Sequence, residues 1–162
     1  RERWTKDPQL SHELYNLGHL YEAGYAHAQA TGSRPLLDVC LKSAELLQHD
    51  FGNGAPRIAP GHEVIEMGLA KLYRATGDER WLKLAKFFLD ARGLGNEYSQ
   101  DHKPVVEQDQ AVGHAVRANY LYSGMADVAA LKSDPAYIQA ITALWDNVAS
   151  KKLHLKIGRA HV

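Results

Sequence analysis

The residues in this chain with the most chemical potential are histidines in repeated contexts. A Gly-His pair occurs at Gly18-His19, Gly61-His62 and Gly113-His114, and a His-Glu pair at His12-Glu13 and His62-Glu63. A neutral imidazole donates one hydrogen bond and accepts another, and it also binds metals and protons. A single histidine at a helix start reads as a surface residue or a satisfied polar group. Here His12, His62 and His114 stand in similar register, each near the N-terminal end of a stretch with helical apolar spacing. That register points to one shared cavity, which Glu66, Arg117, Asn119 and Tyr120 would also face.

Other chemistries leave weaker traces. His62 and Glu66 are four residues apart and His12 and His19 seven, spacings that permit joint metal ligation. There is no HExxH motif and no Cys/His cluster, so no metal ligand is assigned within this chain. Glu13, Glu63, Glu66, Glu107 and Asp109 are carboxylates of the right type for acid/base work, but no spacing selects a catalytic pair. Glu13, Glu63, Glu107 and Asp109 suit helix starts, where the dipole favours negative charge. Cys40, the only cysteine, sits on an apolar stripe and reads as a buried structural thiol.

The elements that must hold these residues are six helical stretches in three pairs. They run roughly over 11–31, 34–49, 61–76, 79–93, 107–131 and 135–150, with Ser11 as an N-cap and Pro135 at a first helical position. No segment alternates like a strand, so the class is all-α. The pairs turn on Gly32, Gly77 and Ser133, which lie 45 and then 56 residues apart. That period fits an array of helical hairpins and exceeds the roughly 34 residues of tetratricopeptide repeats. The first member of each pair is rich in small residues, such as Gly18, Gly24, Gly113 and Gly124, which suits a closely packed inner ring. The second carries an ordinary amphipathic stripe, with Trp81 and Trp145 read as packing between helices. All three histidines then fall at the N-terminal ends of inner helices, on one rim.

Composition narrows the partners. The 162 residues are 45% hydrophobic and 23% charged, and 19 basic residues balance 19 acidic ones. No basic stripe favours nucleic acid and no apolar run is long enough to span a membrane. Oligomeric state leaves no trace. The chain begins at Arg1, and its last six residues, IGRAHV, spell one reading frame of a common sequencing adapter. The expectation is therefore a partial domain over 1–156 followed by a non-native tail over 157–162.

Three long segments carry a family resemblance: SHELYNLGHLYEAGYAHAQATG, PGHEVIEMGLAKLYRATGDERWLKLAKFFLDARG and VEQDQAVGHAVRANYLYSGMADVAAL. In order and separation they resemble glycoside hydrolase family 127, the β-L-arabinofuranosidase family, over about Ser11 to Leu155. The resemblance implies an (α/α)6 barrel, of which this chain holds about three hairpins. It implies retaining release of a terminal β-L-arabinofuranose, with an L-arabinofuranoside as substrate. It also implies, in the whole enzyme, a zinc ion that holds a cysteine nucleophile, and a glutamate acid/base. Those residues belong downstream, so no catalytic residue is expected here and Cys40 does not inherit the role. His12, His62 and His114 match positions that bind the furanose, with His19 the alternative to His12. Tyr15, Tyr120 and Tyr122 are the aromatics placed to line such a site. Two other readings remain: another (α/α)6 sugar enzyme, such as an unsaturated glucuronyl hydrolase, and a helical-repeat binding module.

Overall fold

The structure, a computed structural model, describes residues 4, 12–52 and 57–153. The expected cap Ser11, residues 53–56 of the Gly/Pro-rich break and the 157–162 tail lie outside the described residues. Six helices follow one another: α1 (Glu13–Thr31), α2 (Pro35–Phe51), α3 (Ile65–Thr76), α4 (Glu79–Asp90), α5 (Ala115–Lys132) and α6 (Pro135–Asn147). A 3₁₀ turn spans Val105–Glu107 and a π turn spans Val148–Lys152. No strand occurs among the described residues, and none of their helices is long and apolar enough to cross a membrane.

Consecutive helices pair as hairpins, α1 with α2, α3 with α4 and α5 with α6. The first members also pack on one another, with α3 between α1 and α5, while α2 touches α4 on the outside. This is the all-α, three-hairpin part of an (α/α) barrel that the sequence predicts.

The hairpin turns share one device. Gly32, Gly77 and Ser133 each end an inner helix in the left-handed conformation, with φ of 70°, 72° and 51°, which stops helix propagation and reverses the chain. The second and third hairpins then restart through an aspartate. Asp78 accepts the Arg80 N–H at 3.0 Å and Asp134 accepts the Ala136 N–H at 3.1 Å.

Close packing inside the ring depends on glycines, Gly18 above all. A Cβ on Gly18 would lie 2.6 Å from the Val64 backbone carbonyl carbon, so α1 and α3 meet backbone to backbone there. The outer helices supply bulk instead. Leu37, Cys40, Ala44, Leu47 and Phe51 of α2 are buried, as are Trp81, Leu84, Phe88 and Leu89 of α4. Trp145 departs from its expected packing role: it is 68% exposed on α6.

Two inner helices start later than their spacing suggests. α3 begins at Ile65 rather than Gly61, and α5 at Ala115 rather than Glu107. In both cases tertiary hydrogen bonds claim the backbone groups that helix would use. Arg92 and Arg117 donate to the Pro60 and Gly61 carbonyls. Ahead of α5, the Gln100 amide donates to Val112 O at 2.8 Å and His114 O at 3.3 Å, and Gly113 is left-handed at φ 70°. The histidines therefore lie just before their helices rather than inside the first turn.

Candidate functional site

Each predicted histidine stands at the N-terminal end of an inner helix. His12 is the N-cap residue of α1 and His114 that of α5, while His62 lies in the bend before α3. His62 and His114 are half-buried, and His12 is exposed. The His12 and His62 rings are 5.8 Å apart between centroids.

Tyrosines interleave with the imidazoles. Tyr15 stands edge-on to His62 at 4.4 Å and to His19 at 4.6 Å. Tyr120 reaches across from α5 to His62 at 5.8 Å and to His19 at 5.7 Å. His114 packs edge-on against Tyr98 at 5.5 Å, and the Arg117 guanidinium also lies over Tyr98, 5.1 Å from its centroid. Arg117 joins the two halves by donating to the Gly61 carbonyl, next to His62.

Burial and neighbouring charge both act on His62. Burial holds the His62 ring below the ordinary histidine value, its bond to the Glu63 carbonyl opposes that, and charge on Arg117, His12 and His114 adds to the lowering. His62 is therefore neutral near pH 7.

Hydrogen-bond partners fix which ring nitrogen carries the proton. His62 Nδ1 lies 3.0 Å from the Glu63 carbonyl oxygen, which only accepts, so Nδ1–H donates and Nε2 keeps its lone pair. His114 Nδ1 accepts the Arg117 backbone N–H at 3.3 Å, so the neutral ring carries its proton on Nε2. One imidazole thus offers an acceptor and the other a donor.

Several expected neighbours lie elsewhere. Glu66 does not face the opening: it is 1% exposed, accepts the Val64 N–H at 3.1 Å and lies 3.6 Å from Arg92. Glu63 does not act as an exposed helix-start charge either; it is wholly buried, 3.2 Å from Arg92. Asn119 donates back to the Ala115 carbonyl on its own helix at 3.0 Å, and Tyr122 is buried in the core beneath α5. Cys40 is buried, and its thiol donates to the Leu20 carbonyl at 3.3 Å while burial pushes its pKa up. Such surroundings are those of a structural thiol.

Tyr98 and Arg92 escaped sequence reasoning. Both lie between α4 and α5, in a connection with no periodicity to assign facing directions. The one available signal was the unusual density of polar residues in that loop.

The chain matches, over residues 1–158, the family model described as "Beta-L-arabinofuranosidase, GH127 catalytic domain". It is 35% identical to the non-reducing end β-L-arabinofuranosidase of Bifidobacterium longum subsp. longum, a match that covers 95% of this chain and 28% of that protein. Among solved structures it resembles the GH127 β-arabinofuranosidase BT3674, with TM-score 0.89, 56% identity, and coverage of 94% of this chain and 25% of the other. A GH127 β-L-arabinofuranosidase from Geobacillus stearothermophilus T6 gives TM-score 0.89 at 40% identity, covering 94% and 28%. The chain spans little more than a quarter of the length of these proteins.

Proposed function

The chain belongs to the GH127 β-L-arabinofuranosidase catalytic-domain family, and from that premise we propose that it forms the sugar-gripping side of a retaining glycoside hydrolase. In this reading His12, His62 and His114 hold a terminal β-L-arabinofuranose of a glycan or glycoconjugate. The nucleophile and the acid/base come from segments of a longer protein outside these 162 residues.

The observation that carries the reading is the opposed polarity of two imidazoles on one rim. A sugar hydroxyl both donates and accepts. The Nε2 lone pair of His62 accepts a hydrogen bond from a hydroxyl, and the Nε2–H of His114 donates one. Tyr15 and Tyr120 restrict the His62 ring, and Tyr98 the His114 ring, to narrow orientations. Fixed partners of this kind hold a furanose at one angle, which is how orientation lowers a reaction barrier.

The zinc implied for the whole enzyme does not fit the donors present here. Among the described residues no group of three or more His, Cys, Asp or Glu converges to hold a metal ion. Cys40 is a lone buried thiol with a backbone partner. We propose that zinc is held by other segments of the full-length protein.

The test is mutational, in the full-length protein that contains this chain. His62→Ala and His114→Asn should lower kcat/KM on an aryl β-L-arabinofuranoside by about a hundredfold, with zinc content unchanged. Asparagine is chosen at 114 because it still caps a helix. Loss of zinc, or turnover within about twofold of wild type, would reject the sugar-binding role. The isolated chain should release no arabinose.

A further inference from the structure

Behind the histidine rim lies a buried charge group that the sugar-binding reading does not use. Arg92, just past the end of α4, is wholly buried. Its Nη2 donates to Pro60 O at 2.9 Å, and its Nη1 donates to Ser99 O at 3.0 Å. These two carbonyls belong to different loops. Pro60 lies two residues before His62. Ser99 lies between Tyr98, whose carbonyl accepts the His114 N–H at 3.1 Å, and Gln100, whose amide donates to the His114 carbonyl at 3.3 Å. One guanidinium therefore spans the segments that carry His62 and His114.

We propose that Arg92 is a positioning residue that fixes His62 relative to His114, with the buried carboxyls Glu63 and Glu66 as its charge partners. A planar fork suits this task because its two ends reach two carbonyls at a set separation. Glu66 accepts the Val64 N–H through its Oε2 and lies 3.6 Å from Arg92. Glu63 has neither carboxyl oxygen hydrogen-bonded, although Arg92 lies 3.2 Å away. It is the member that carries a proton, as burial of two carboxylates against one guanidinium favours. Arg117 lies on the α5 side of the same group and weakens that preference. The consequence for catalysis rests on the proposed sugar site; the positioning role does not.

The experiment follows the His62 ring proton by NMR through a pH titration of the full-length protein that contains this chain. Around His62 the charged or titratable groups are His12 and Tyr15 from the α1 side, Arg117 and Tyr120 of α5, and His114. Arg92→Lys keeps the charge and loses the fork. It should raise the His62 midpoint by about half a pH unit, towards the ordinary value, and should abolish the response of that midpoint to His114→Asn. Leu72→Ala, which removes core packing on α3 away from the rim, should leave the midpoint unchanged. An unchanged midpoint in folded Arg92→Lys, or an equal shift in Leu72→Ala, overturns the proposal. If Arg92→Lys fails to fold, Arg92→Lys/Glu63→Gln has one buried cation and one carboxylate and is read in the same way. In the full-length protein, Arg92→Lys should raise KM for the arabinofuranoside. A shifted titration with unaltered KM upholds the positioning role and rejects the rim as a sugar site.

Discussion

Glu63 shows how burial alone changes what a side chain is. Nothing near it in sequence marks it as other than a helix-start carboxylate, yet it is wholly enclosed. Burial pushes its carboxyl up to about 7, Arg92 pulls it down, and Glu66 pushes it further up. The ordinary value is 4.5, so between about pH 4.5 and 7 the folded chain holds a proton that the unfolded chain has lost. The contribution of this residue is therefore full at low pH and disappears as pH rises through 7, a change on the order of 3 kcal/mol. Urea unfolding at pH 5 and at pH 8 should show Glu63→Gln gaining relative stability at the higher pH. An identical difference between variant and wild type at both pH values would count against a protonated Glu63. The imidazole register was legible without a fold, because it depends only on spacing to the hairpin turns. The partners Tyr98 and Arg92 were not, since an aperiodic loop gives no facing direction to read.

At the scale of elements, two kinds of glycine do different work and should respond differently to substitution. Gly77 needs only its left-handed φ of 72°; beyond its chain neighbours, nothing lies within 4 Å of where a Cβ would sit. Gly77→Ala should cost about 1 kcal/mol, the strain of that conformation. Gly18 sits inside helix α1 but would place its Cβ 2.6 Å from the Val64 backbone. Backbone cannot move aside as a side chain can, so Gly18→Ala should cost about 3 kcal/mol. It should also disturb His62, two residues from Val64. Denaturant midpoints of both variants check the ranking, and equal losses would mean that α1 and α3 have room to separate. Helix identity and hairpin pairing were written in turn chemistry and period. The late starts of α3 and α5 were not, because arginine and glutamine side chains distant in sequence take the backbone groups.

At the scale of the molecule, three hairpins of a barrel leave sides that a closed ring would cover. Trp145 is 68% exposed, Ile138 46% and Leu153 67%, all at or beside α6. A groove of ≈ 250 Å³ lined by Tyr122, Ile141, Leu144 and Trp145 runs between α5 and α6. Apolar surface of this kind promotes association. The isolated chain should sediment as a concentration-dependent mixture, and Trp145→Gln should shift it towards monomer. A single monomeric boundary for wild type at high concentration would contradict this expectation. The relatives' greater length fits the same picture, since the chain covers only 25% and 28% of the two GH127 structures.

By itself the sequence determined the all-α class, the three hairpins, the family and the position of each of the three histidines at the start of an inner helix. Each of these follows from patterns along the chain: apolar period, turn residues, and the order and separation of its motifs. Only the tertiary structure decided which ring nitrogen of His62 and of His114 carries the proton, that Glu63 and Glu66 are buried, and that Arg92 bonds to both loops. Those outcomes depend on desolvation and on hydrogen bonds between residues tens of positions apart, which no local pattern encodes.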